Sequence, residues 1–245
     1  MENGCWLFSV RLRVLGVLVV MSFSFLSLSQ TPTDLLRTAK SKEESKDYKG
    51  AIEDCSKAIQ LKADLDSAYF LRGVGYLKAG EQKLAADDFS KAIKLNPKYA
   101  DAYSHRGIAK ASRQDYPGAV KDFSRALEID PANPKIFYNR AIAEAYMSDY
   151  SDAIEDLTQA VKLKPDYEEA YYSRAYWQDM SGSYFEAIDD YKKVIELNPG
   201  NMEAYIGMAT VKYMNNEKQA ACEDLKTAIG KGSIKAEELS NIFCK

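Results

Sequence analysis

The sequence predicts an all-α solenoid of six helix–turn–helix units in tandem, closed by a short C-terminal helix. Four recurring columns carry this. The aromatics Tyr69, Tyr103, Phe137, Tyr171 and Tyr205 recur every 34 residues. Ala51, Ala85, Ala119, Ala153, Ala187 and Ala221 hold a second column at the same spacing, and Arg72, Arg106, Arg140 and Arg174 a third. Pro97, Pro131, Pro165 and Pro199 close four successive units. A fixed period of this length marks an array in which each unit buries its apolar face on its neighbours.

The chain begins differently. Residues 1–29 carry only Glu2, Arg11 and Arg13 as charged side chains, followed by an uncharged run from Val14 to Leu28. That run is shorter than the roughly 20 apolar residues a bilayer-spanning helix needs. Basic residues, a short apolar stretch and the small residues Ser27 and Ser29 read as a secretory signal cleaved before Gln30. The expectation is an exported protein, periplasmic or secreted. The alternative is a membrane-anchored structural or assembly protein whose N-terminal helix stays uncleaved, and membrane contact is expected through that segment alone.

Within the array, units fall at 32–65, 66–99, 100–133, 134–167, 168–201 and 202–235. Each reads as two helices. In the second unit Tyr69, Gly73 and Tyr76 share a face by i, i+4, i+7 spacing. Ala79-Gly80 breaks the run, and a second amphipathic stretch carries Ala85, Phe89, Ala92 and Leu95. Pro97 then stops the helix, because a proline pushes the residue before it out of the α region. Small residues at Gly73, Gly107, Ala141, Ala175 and Ala209 let paired helices approach closely, with neighbouring rings filling the gaps. Larger side chains there would overpack, at a cost of about 1–3 kcal/mol each. Residues 236–245 form the cap, with Ala236, Leu239, Ile242 and Phe243 as its apolar face.

These residues resemble the tetratricopeptide repeat, a 34-residue helix–turn–helix with aromatic, small and proline markers. The subgroup it looks most like reads Tyr-x-x-Arg-Gly early, as at Tyr103 to Gly107, and Ala-Ile-x-Asp-aromatic later, as at Ala187 to Tyr191. The first unit departs from the pattern at Leu35, Thr38 and Ala63, and the sixth at Met208 and at Gly230-Lys231-Gly232. The resemblance implies a right-handed superhelix. It also implies a concave surface, lined by the first helix of each unit, where extended peptides or partner segments bind.

Candidate binding residues follow from that placement. They are Phe70, Leu71 and Val74 in unit 2, Ser104, His105 and Ile108 in unit 3, Tyr138, Asn139, Ile142 and Tyr146 in unit 4, and Tyr172, Ser173 and Tyr176 in unit 5. Rings supply contact area, and the Asn139 amide can bond a peptide backbone. The competing reading is that some rings pack on one another, and that His105 is a bystander. The family's best-known peptide mode is a two-carboxylate clamp of lysines, asparagines and an arginine. Asn139 matches one of its positions, but Glu169 and Ser173 stand where lysine and arginine are needed. Acidic chaperone tails are therefore not the expected ligand.

Composition narrows the chemistry. The 245 residues are 46% apolar and 28% charged, with a net charge of -3, which excludes a mostly disordered chain and argues against a nucleic-acid partner. One histidine rules out a multi-histidine metal centre and nearly removes the usual acid–base residue. With no phosphate loop, metal spacing or catalytic constellation, no cofactor, metal or catalysis is expected. The expected partner is a protein or peptide.

Two further patterns are structural. Asp54, Asp88, Asp122, Asp156, Asp190 and Asp224 recur in all six units and can pair with the arginine column, within a unit or between neighbours. Cys55 falls in a core column as a buried thiol, while Cys222 and Cys244 lie eleven residues either side of Ser233. An antiparallel hairpin would bring the latter two to one height, and an exported chain permits a disulfide between them. Two separate buried thiols are the alternative.

Overall fold

The computed structural model describes residues 30–245 and, before them, the backbone of two short antiparallel strands, Leu12–Val14 and Val17–Val19. The signal expected at 1–29 lies outside the described side chains. From Pro32 onward the fold is all-α. Unit 1 comprises α1 (Pro32–Glu44) and α2 (Tyr48–Leu61), unit 2 α3 (Asp66–Lys78) and α4 (Gln82–Leu95), and unit 3 α5 (Ala100–Ala111) and α6 (Tyr116–Ile129). Unit 4 has α7 (Pro134–Tyr146) and α8 (Tyr150–Leu163), unit 5 α9 (Glu168–Met180) and α10 (Tyr184–Leu197), and unit 6 α11 (Met202–Met214) and α12 (Lys218–Gly230). The closing helix α13 spans Ile234–Phe243. It starts before the expected residue 236 because the Ser233 hydroxyl accepts from the Ala236 amide and sets the N-cap.

Every helix packs on its chain neighbours. First helices also touch across units, α1 with α3, α3 with α5, α5 with α7 and α9 with α11, whereas second helices make no comparable contact. The first helices are therefore crowded on the inner side of the curve and the second helices spread on the outer side.

The turn within each unit uses one device six times. Lys46, Gly80, Gln114, Ser148, Gly182 and Asn216, spaced by the repeat, all have positive φ between 63° and 82°. This left-handed residue reverses the chain after the first helix, a conformation glycine and asparagine adopt with least strain. Only three of the six carry those residues.

Core packing matches side-chain sizes unit by unit. A Cβ on Gly73 would lie 2.8 Å from the Phe89 ring, and one on Gly107 would lie 2.8 Å from Phe123. Where the small residue is alanine, at Ala39, Ala141 and Ala209, its partner in the column is the smaller Cys55, Leu157 or Leu225. Unit 5 combines Ala175 with Tyr191, and there the ring leans into the next unit, 2.5 Å from where a Gly207 Cβ would stand.

The arginine and aspartate columns pair within units. Arg72, Arg106, Arg140 and Arg174 each donate Nε and Nη2 to the two oxygens of Asp88, Asp122, Asp156 and Asp190, at 2.6–2.8 Å. Each guanidinium also reaches backward. Its Nη1 donates to a hydroxyl of the preceding unit, on Ser56, Ser90, Ser124 or Thr158, at 3.0–3.2 Å. Bidentate geometry of this kind is available to arginine and not to lysine. In the end units the aspartates are held instead by Lys42, 2.6 Å from Asp54, and Lys212, 2.6 Å from Asp224.

Cys222 and Cys244 form a disulfide with Cα atoms 5.8 Å apart, tying α13 to α12. Tyr213 and Phe243 stack at 3.9 Å between centroids, and Ala236 is fully buried against Leu225 and Ala228. Ile242, expected on the apolar face of the cap, is 65% exposed. Cys55 is a free thiol with no exposed surface, and burial raises its pKa to about 12, so it is inert.

Candidate functional site

The inner side of the curve carries two adjoining cavities. The larger, about 540 Å³, lies between units 3 and 4. Ile108 and Ala111 from α5, Ser112 after it, Tyr116 and Phe123 from α6, and Tyr138, Asn139, Ile142, Ala143 and Tyr146 from α7 form its walls. Its mouth is framed by Tyr116 and Tyr146, whose rings stack in parallel at 4.9 Å. The smaller, about 350 Å³, is lined by Tyr138, by Glu168, Glu169, Tyr172 and Ser173 of α9, and by Asn201 and Glu203 at the start of α11. Tyr138 belongs to both, so one ring separates an aromatic chamber from an acidic one.

Each side chain is set by its helix position. Tyr138, Asn139, Ile142 and Tyr146 recur at one-turn spacing along the inner face of α7, which brings them to one wall. Tyr138 packs against Tyr167 at 5.3 Å, and Tyr172 meets Tyr191 edge-on at 5.8 Å, so neither ring is free to collapse into the groove. Burial raises the Tyr172 phenol, and the neighbouring Glu203 adds to the rise. The Asn139 amide has no hydrogen-bond partner among the described residues and lines the larger chamber.

The acidic chamber is only partly neutralised. Glu168 accepts from Asn198 and Asn201 at 2.9 and 2.8 Å, and Glu203 meets Lys235 at 2.9 Å. No lysine or arginine lines either cavity. Among the described residues no cluster of histidine, cysteine, aspartate or glutamate is arranged to hold a metal ion.

Of the residues expected here, Tyr138, Asn139, Ile142 and Tyr146 come together in the first cavity, and Tyr138, Tyr172 and Ser173 in the second. Tyr176 does not join them; it is 43% exposed and packs edge-on against Trp177 at 4.7 Å. His105 is also elsewhere. Its ring is wedged against Phe70 and Phe89 at 5.1 and 5.6 Å, and its Nδ1 donates to the Asp101 carbonyl. Burial lowers its pKa, so the neutral ring serves as packing. Val74 and Ser104, placed outward from the sequence, are buried.

Tyr116, Ser112, Asn201 and Glu203 were not foreseen as site residues. For Tyr116 a signal exists, because Tyr48, Tyr116, Tyr150 and Tyr184 form another column at the repeat spacing, at the first position of the second helix. Glu203 shares a repeat column with Glu169 and Asp101, but Lys135 interrupts it in unit 4, so the column does not mark an acidic surface.

The fold and groove define a helical-repeat solenoid with an open inner channel. Family models agree on which one: tetratricopeptide-repeat models match residues 67–99 and 138–202, and a TPR-repeat model matches 109–147. Together these stretches cover half of the chain, and the chain is a tetratricopeptide-repeat protein. Among solved structures it is similar to PilF of Pseudomonas aeruginosa, with a TM-score of 0.72 at 15% identity over 86% of this chain and 96% of that one. It is also similar to YrrB, described as a TPR protein with an unusual peptide-binding site, with a TM-score of 0.68 at 22% identity over 76% of this chain and 97% of that one. MamA gives a TM-score of 0.64 at 22% identity, over 67% and 96% of the respective chains. Likeness at these identities establishes the fold alone. No curated protein matches the chain by sequence.

Proposed function

We propose that this chain is an exported, non-catalytic scaffold that holds an extended peptide or protein segment in the groove of units 3 to 6. The observation that carries the reading is the pair of cavities joined at Tyr138. A large apolar side chain of the partner enters the aromatic chamber, where the rings of Tyr116, Tyr138 and Tyr146 bury it. The unpartnered Asn139 amide can both donate to and accept from the partner's backbone, which fixes the segment's direction. The chain then crosses Tyr138 and runs over the carboxylates of α9 and α11, which favour a segment without acidic side chains. Aromatic anchors around a concave centre are the usual carriers of binding energy. The similar protein YrrB, described by its unusual peptide-binding site, is in keeping with this reading.

Export is supported by the sequence of residues 1–29 and by the Cys222–Cys244 bridge, since such bonds persist in oxidising compartments. N-terminal sequencing of the protein from its native source should give Gln30; a chain starting at Met1 would assign residues 1–29 to an anchor.

The groove is tested by selecting peptides from a random display library on the full chain and measuring their affinities. Tyr138→Ala/Tyr172→Ala should weaken the selected peptides at least tenfold, equivalent to about 1.4 kcal/mol. Equal affinity for the double variant would move the site out of the groove.

A further inference from the structure

A third cavity, of about 300 Å³, lies between α7 and α8 and is lined by Arg140, Glu144, Asp152, Glu155 and Asp156. It shares no residue with the groove. Its key member is Glu144, 8% exposed, whose Oε1 lies 3.6 Å from Arg140 Nε and whose Oε2 is buried without any hydrogen-bond partner. A carboxylate buried in that state is costly unless something completes it.

The other units show what is missing. The column containing Glu144 reads Lys42, Tyr76, Lys110, Glu144, Gln178 and Lys212. In units 1, 3 and 6 the lysine ammonium sits 2.6–2.7 Å from the unit's aspartate. Unit 3 is the clearest counterpart, because Asp122 there takes both Arg106 and Lys110. Positions equivalent to the five cavity residues are Arg106, Lys110, Gly118, Lys121 and Asp122, three cations and one acid. In unit 4 the same places hold one cation and four acids. The site that receives an internal ammonium elsewhere is here one ammonium short.

We propose that the unit 4 cavity binds an alkylammonium group from outside the chain, either a partner's lysine side chain or a free diamine. Its nitrogen takes the place between Glu144 and Asp156 that Lys110 takes beside Asp122. The carboxyls are not arranged to hold a metal ion. Burial, and then the charge of Asp156, raise Glu144 to about 7. The charged groups around it are Arg140 on its own helix, Asp149 at the N-cap of α8, and Asp152, Glu155 and Asp156 of α8, while from α6 the neutral Ser124 hydroxyl bonds Arg140. An ammonium at bonding distance favours the ionised carboxyl. Binding therefore releases a proton below pH 7, and affinity rises about tenfold between pH 6 and pH 8.

The test titrates the full chain with cadaverine and, separately, with Nα-acetyl-lysine methylamide, following the Glu144 carboxyl by ¹³C NMR. Wild type should bind at least one probe with the tenfold pH effect. Glu144→Gln should lose that pH effect. Glu144→Lys fills the site from within, and should abolish binding while raising the melting temperature. Tyr138→Ala/Tyr172→Ala should bind amines as wild type does, which separates this site from the groove. Tighter binding of cadaverine assigns the site to a free diamine, and tighter binding of the lysine derivative assigns it to a partner's side chain. Binding of neither probe, undiminished binding by Glu144→Lys, or equal displacement by Mg²⁺ would overturn the proposal.

Discussion

In units 2 to 5 an arginine grips the aspartate of its own unit with two bonds and reaches back to a hydroxyl on the unit before. In units 1 and 6 Thr38 and Met208 stand in the arginine's place; Asp54 is held by the Thr38 hydroxyl and by Lys42, and Asp224 by Lys212, each lysine lying one turn further along. The inner device couples neighbours as well as helices; the outer one couples helices only. In an array where each unit touches only its neighbours, cooperativity depends on such couplings, and the ends fray first. The C-terminal end is secured by other means: the α13 cap, the Tyr213–Phe243 stack and the disulfide.

Four substitutions break or sharpen this contrast. Arg140→Ala leaves Asp156 and Glu144 buried without a counter-charge and severs unit 4 from unit 3. It should cost about 3–5 kcal/mol in urea unfolding and split the transition in two; a single transition at the wild-type midpoint would remove the ladder's importance. Cys222→Ser should cost about 3 kcal/mol by loop closure, with amide-exchange protection lost in α12 and α13 and kept in α5 to α8. Lys212→Ala should cost about 2 kcal/mol, confined to unit 6, because one charge-assisted bond is lost and no neighbour is released. Ser124→Ala, which deletes only the backward reach of Arg140, should cost about 1 kcal/mol and speed amide exchange at the boundary of α6 and α7. If Lys212→Ala proved as costly as Arg140→Ala, the distinction between inner and terminal units would fail.

The array was legible in the sequence because its determinants recur. One Arg-Asp pair could be chance, whereas four in register with Phe89, Phe123 and their equivalents define helix pairs and their facing sides. What the register left open was which aspartate each arginine chooses, since both pairing schemes preserve the spacing. The hydroxyl column of Ser56, Ser90, Ser124 and Thr158 was visible in the sequence but silent, because serine on an outer helix suggests nothing until the guanidinium is placed. The groove was half legible. Tyr138, Asn139, Ile142 and Tyr146 follow from helical spacing, but His105 occupies the same repeat position as Asn139 and points to a different end. It packs on Phe89 and fills the space there, whereas Asn139 and Phe123 both line the open chamber. Glu203 repeats Glu169 and Asp101 at the unit spacing, but nothing in that column marks a cavity, and only the folded chain shows that Glu168, Asn201 and Glu203 meet.

The lean of Tyr191 into Gly207 has a consequence for how this gene can change. The position of Gly207 is held by Arg37, Leu71, His105, Asn139 and Ser173 in the other units, so unit 6 alone offers the hollow that ring needs. Repeat arrays lengthen and shorten by recombination between similar copies. A copy of any other unit inserted after unit 5, or a deletion of unit 6, would set a side chain or open water against that ring. The junction between the fifth and sixth units is thus keyed, and duplication is tolerated more readily upstream of it.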